Sequence, residues 1–95
     1  MAWIVVENSA IDLQNIAEDG LLNFGDHHAR KYTVKLLDMF DQLAAMPYMA
    51  SLRQAAQSEV RLMPCGFHNI IYIKENEDVV ILRVLHGLQD WFELL

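Results

Sequence analysis

The sequence predicts an α+β domain in which an N-terminal strand precedes an antiparallel helical hairpin packed on one face of an antiparallel β-sheet, all within one domain spanning residues 1–95. Three observations carry this reading. Residues 67–73 and 79–85, FHNIIYI and VVILRVL, flank the polar tetrapeptide Glu75-Asn76-Glu77-Asp78, which reads as an antiparallel hairpin with a loop of about four residues. The second run is apolar on both faces, the pattern of a strand in the middle of a covered sheet, with Arg83 its one charged residue. Between residues 13 and 44, apolar side chains recur at helical spacing, interrupted by Gly25 and limited by Pro47.

Taken in order, Trp3 to Glu7 is β-branched and aromatic and predicts the first strand. Asn8-Ser9 supplies capping side chains for a helix, with Asp12 three residues beyond Ser9. Leu13, Ile16, Ala17, Leu21 and Phe24 form the apolar stripe of that helix, with Gly20 on the stripe as a point of close approach. Gly25-Asp26 stops one helix and starts another. The second helix runs from His27 to Met46, burying Ala29, Tyr32, Thr33, Leu36, Phe40, Leu43 and Ala44. So short a link makes the two helices antiparallel neighbours.

Residues 47–59 show no clean period and predict a loop, with a helical turn around Leu52 to Gln57. Val60 to Met63 reads as a short strand ended by Pro64, which cannot donate to a ladder. Cys65-Gly66 turns the chain into the central hairpin. The last residues, Trp91-Phe92-Glu93-Leu94-Leu95, are apolar enough to require cover, either from their own domain or from a partner.

Composition narrows the function. The chain is 54% hydrophobic and 21% charged, which suits a folded globule. No apolar run approaches the ~20 residues of a membrane span. Residues 1–6 lack the basic flank and cleavage site of a signal peptide, and there is a single cysteine, so a cytoplasmic chain without intrachain disulfides is expected. A net charge of −6 argues against a surface that tracks phosphates, so direct nucleic-acid binding is not expected. The basic residues are unevenly spread: no Lys or Arg precedes Arg30, whereas Arg30, Lys31 and Lys35 cluster.

Candidate chemistry is sparse. Arg61, Arg83 and His86 supply the cations and proton carrier of an RNA-cleaving site only if their strands present them on one face. The competing reading pairs Arg83 with a carboxylate and places His86 at a strand end. Cys65-x-x-His68 is half of a zinc ligand set, but neither His86 nor the His27-His28 pair completes it at the spacing of a structural site, so no metal is expected. No phosphate loop or nucleophile elbow is present and no cofactor is expected.

The segment Asp41-Gln42-Leu43-Ala44-Ala45-Met46-Pro47, then Arg53, Val60-Arg61, Gly66 and Ile70-Ile71-Tyr72, and finally Ile81-Leu82-Arg83-Val84-Leu85-His86-Gly87 with Gln89-Asp90, is similar in order and spacing to the ParE/RelE toxin superfamily of bacterial type II toxin–antitoxin modules. It most resembles the ParE branch, whose closing pattern the last stretch follows. The resemblance implies a plasmid-stabilization type of toxin neutralised by a cognate antitoxin, with DNA gyrase inhibited by binding and not by catalysis. For the RelE branch it implies ribosome-dependent mRNA cleavage, which uses basic residues and a C-terminal tyrosine. This chain has no tyrosine after Tyr72. Departures from the ParE pattern are Ala50, where a glycine is usual, and Gly20, where a bulky residue is common. A third alternative is an antitoxin-binding module without toxic activity. The expected partner contacts are Arg53, Arg61 and Arg83, whose guanidinium forks match carboxylates, with Trp91, Phe92 and Leu94 as apolar anchors.

Overall fold

The computed structural model describes residues 2–95, and shows a helical layer on a five-stranded sheet. The elements are β1 (Trp3–Val5), α1 (Glu7–Ala45), β2 (Leu52–Gln54), β3 (Glu59–Cys65), β4 (His68–Glu75) and β5 (Asp78–His86), with sheet order β1-β5-β4-β3-β2. The hairpin of β4 and β5 holds the centre of the sheet. Its turn is tighter than the sequence suggests: Glu75 pairs with Asp78, and Asn76 takes the positive φ of 55° that a two-residue connection demands.

The sheet is mixed, correcting the antiparallel arrangement expected from the sequence. β1 lies parallel to β5, with Trp3 opposite Val79 and Val5 opposite Ile81. β1 and β5 are not consecutive, since α1, β2, β3 and β4 lie between them in the chain, so no hairpin turn imposes an antiparallel pairing on them. A second correction is β2, a strand where a helical turn is expected. It pairs antiparallel with β3, Arg53 opposite Val60. A third is β3, which continues through Pro64. β2 covers only residues 59–61 of β3, so the outer side of Pro64 has no strand beside it and its missing N–H disrupts no ladder.

Where the sequence predicts two helices joined by a link, the structure has one helical element, α1, bent at Gly25. Gly25 has φ 84° and ψ 169°, a conformation that a side chain would strain. A straight helix of this length would span roughly 58 Å, well beyond the 37 Å longest dimension of the molecule. The two arms meet at Gly20, where a Cβ would lie 3.3 Å from that of Ala29. The sequence's small residue on the stripe is thus the contact point of the bend.

Two cores result. One, between α1 and the sheet, contains Leu36, Phe40, Leu43, Ile70, Tyr72, Val79 and Ile81, with Trp3 edge-on to Phe40. The other, on the opposite face, contains Ala55, Val60, Leu62, Ile71 and Leu85. Trp91 and Leu95 close it from below, so the last residues dock on their own domain. Among the described residues no helix is long and apolar enough to cross a membrane.

Candidate functional site

The first polar cluster ties α1 to β5. The helix begins at Glu7, two residues before Ser9, so Ser9 is not the N-cap the sequence suggests; it sits buried in the first turn. Its hydroxyl accepts from the Val6 N–H at 3.0 Å and donates to the Ile81 carbonyl at 2.7 Å. One turn on, Asp12 takes both Arg83 Nε (2.7 Å) and Nη2 (3.0 Å), and its Oδ2 also accepts from the Val84 N–H at 3.0 Å. A bulge makes this possible. Ile71 pairs with Arg83 and Tyr72 with Ile81, leaving Leu82 out of register and turning Arg83 toward the helix. The Asp12 hydrogen bond raises the Arg83 pKa above its ordinary value. Asp12 and Arg83 side chains are 12% and 22% exposed, so the pair is largely withdrawn from water.

The other expected cations lie elsewhere. Arg61 donates to the Ala50 carbonyl at 2.7 Å and lies 4.9 Å from the centre of the Tyr48 ring. His86, at the end of β5, accepts from the Leu88 N–H at Nδ1. Arg61, Arg83 and His86 therefore engage three separate sets of partners. Arg53 is exposed on β2, an edge strand with one side unpaired. The last residues lie beside that edge: the Ala56 N–H donates to the Phe92 carbonyl at 3.1 Å and the Gln57 N–H to the Leu95 carbonyl at 3.0 Å. Trp91 and Leu95 pack inward, while Phe92 and Leu94 stay exposed at 42% and 47%. Leu52 and Arg53 are also exposed; Leu52 lies opposite Arg61 and Arg53 opposite Val60, so Arg53 shares the face on which the last residues dock and Leu52 lies on the other.

A third site went unread in the sequence. At the end of the sheet, the first turn past β3 closes on α1 through Gly66, where a Cβ would lie only 2.6 Å from the Tyr32 ring. Tyr32, which the helical stripe marks only as core, brings its hydroxyl between three partners. It accepts from the Phe67 N–H at 2.9 Å, contacts His68 Nδ1 and lies 3.3 Å from the Cys65 carbonyl. His68 is opposite His86 across the β4–β5 ladder, and their rings lie 5.7 Å apart. Burial raises the Tyr32 pKa, and burial followed by the neighbouring His86 lowers that of His68. These residues wall a cavity of about 860 Å³ between the two arms of α1 and the end of the sheet. Lys31 and Lys35 reach it from the helix. Its traces in the sequence were the clustering of Lys31 and Lys35 and the histidines His28, His68 and His86, weighed there as metal ligands.

Cys65 does not join His68 as a ligand pair: its Sγ lies 4.0 Å from the Lys35 carbonyl, and burial raises its thiol pKa. Among the described residues no three His, Cys, Asp or Glu side chains converge as metal ligands.

This helix-on-sheet architecture is that of a solved structure described as the chromosomal ParDE TA system from P. aeruginosa. That structure matches with a TM-score of 0.78 at 17% sequence identity, over 90% of this chain and 95% of the other. The family model described as the ParE toxin of type II toxin-antitoxin system, parDE, matches residues 7–91. The chain belongs to the ParE toxin family. No curated protein matches it.

Proposed function

We propose that this chain is a toxin that acts by binding, with DNA gyrase as its target and a cognate antitoxin as its neutralising partner. The observation that favours binding over RNA cleavage is that Arg61, Arg83 and His86 are each engaged with a different part of the fold. In-line cleavage of RNA needs its base, cation and acid around one phosphate.

The antitoxin interface in this reading centres on β2 and the surface beside it. An extended segment adds to the open side of β2 by backbone pairing, its apolar side chains cover Leu52, Phe92 and Leu94, and its carboxylates meet Arg53 and Arg61. Arg83 and Trp91 act on this surface from inside, Arg83 by fixing α1 to β5 and Trp91 by seating the last residues.

Two assays run side by side test the proposal. Purified chain should inhibit gyrase supercoiling and leave ribosome-bound mRNA intact, and the antitoxin should restore supercoiling. Codon-specific mRNA cleavage with unaffected gyrase would reverse the assignment, and neither effect would reduce the chain to an antitoxin-binding module.

A further inference from the structure

The cavity beside Tyr32 has a chemistry that the proposed toxin activity does not use. Its charge opposes that of the whole molecule. The chain carries 13 acidic residues against 7 Lys and Arg, yet His28, Lys31, Lys35, His68 and His86 all line this one space, and among the described residues Asp19 is its only carboxylate. Among the described residues neither the Lys31 nor the Lys35 ammonium has a salt-bridge partner, whereas Arg30 is paired with Asp26.

The two histidines are oriented as donors. The Leu88 N–H can only donate, so His86 Nδ1 must accept, and the neutral ring carries its proton on Nε2. The Tyr32 oxygen already accepts from the Phe67 N–H, and its own proton goes to the nearer of its two acceptors, His68 Nδ1. His68 therefore also keeps its proton on Nε2. Two adjacent cross-strand rings thus hold N–H donors on residues that line the cavity, with two ammonium groups on the facing helix.

The remainder of the wall is apolar and open. Phe24 and Phe67 stand on it with 67% and 70% of their surfaces exposed, and Phe67 stacks on Tyr32 at an interplanar angle of 24°. Exposed phenyl rings beside clustered donors mark a site for a ligand that has both a charge and an apolar body. The volume of about 860 Å³ falls within the range of small-molecule pockets.

We propose that this cavity binds a small organic anion, a carboxylate or phosphate carried on a flat aromatic body. The anion lies between the His68 and His86 N–H groups and the Lys31 and Lys35 ammonium groups, and the ring lies against Phe24 and Phe67. The charge selects the head group, since a neutral aromatic leaves four donors unsatisfied, and the exposed rings select the body, since a bare anion leaves them in water.

The test is a titration of the full chain followed by ¹H–¹⁵N NMR, including the histidine ring nitrogens, with four probes. These are 2-naphthoate, adenosine monophosphate, inorganic phosphate and 2-naphthalenemethanol. The expected result is saturable one-to-one binding of naphthoate or the nucleotide, with shifts at His68, His86 and Phe67. Which of the two binds more tightly identifies the head group as carboxylate or phosphate. Inorganic phosphate and the neutral alcohol should bind at least about tenfold more weakly, the loss of one charge-assisted or apolar contact set. The double variant Lys31→Glu/Lys35→Glu changes only exposed positions and should weaken binding by at least about tenfold, whereas Lys74→Glu, on β4 away from the cavity, should not. Phe67→Ala should weaken the aromatic anions and leave phosphate unchanged. No binding by either aromatic anion, equal binding of the neutral alcohol, or undiminished binding to the double lysine variant would each overturn the proposal.

Discussion

The two faces of the sheet are covered unequally. One carries α1, with ten buried residues in its core and a polar clamp of Ser9, Asp12 and Arg83. The other, among the described residues, carries only the last few, with five buried residues and Trp91 and Leu95 as a lid. The first face is held by packing along a long helix together with hydrogen bonds that need one register. The second is held by two side chains and two backbone hydrogen bonds. In a domain whose whole stability is about 5–15 kcal/mol, that inequality separates a face that specifies the fold from a face held by few contacts.

The comparison breaks first at Phe40, which is fully buried on the helical face. Phe40→Ala should destabilise the chain by about 3–5 kcal/mol, as measured by urea denaturation. A loss comparable to that of a lid residue would mean that α1 does not dominate. Asp12→Ala should cost about 3 kcal/mol, the low end for breaking a buried ion pair, because it leaves Arg83 and the Val84 N–H without their acceptor. If Asp12→Ala and Arg83→Met together are more stable than Asp12→Ala alone, the uncompensated guanidinium is the source of that loss. On the opposite face, Trp91→Ala should cost only about 1–2 kcal/mol, since the indole is half-buried. The same change should weaken antitoxin binding by a larger free energy than it costs the free chain in stability.

The smallest effect is a pH dependence. Burial and His86 lower the His68 pKa from its ordinary 6.5, so the folded chain prefers the neutral ring. The unfolded chain then binds the proton more readily, and the stabilisation is complete above about pH 6.5 and lost as pH falls through the lowered folded value. Thermal melts from pH 8 to pH 5 should show this decline, and His68→Gln should flatten it. An unchanged slope in that variant would assign the decline to other groups.

These contrasts explain what could be read in advance. The β4–β5 hairpin was legible because its apolar runs and turn residues are local, and the break at Gly25-Asp26 because glycine and an acidic residue punctuate a helical stripe. Ser9 and Asp12 were legible only as capping residues. Their true partners, the Ile81 carbonyl and the Arg83 guanidinium, lie some seventy residues away, |i−j| = 72 and 71, and a bulge in β5 brings them into reach. β2 was illegible because Leu-Arg-Gln is exposed throughout and has no alternation to display. The parallel pairing of β1 was illegible because its partner β5 lies more than seventy residues on, with no local turn between them to set the direction. Tyr32 shows the limit most plainly: periodicity places its ring on the buried stripe but says nothing of the hydroxyl, on which the cavity's donor pattern turns.

Amide hydrogen exchange of the free chain tests the unequal cover most directly. The Ala56 and Gln57 N–H groups bond to the Phe92 and Leu95 carbonyls, so they report the lid alone, while Ile71 reports the centre of the sheet and Val84, whose N–H bonds to the Asp12 carboxylate, the junction of α1 with β5. If the lid opens locally, Ala56 and Gln57 should exchange at least about a hundredfold faster than Ile71 and Val84, and the gap should close when antitoxin covers the face. Exchange of all four at one slow rate would contradict the account, because the last residues would then belong to the same cooperative unit as the helical face.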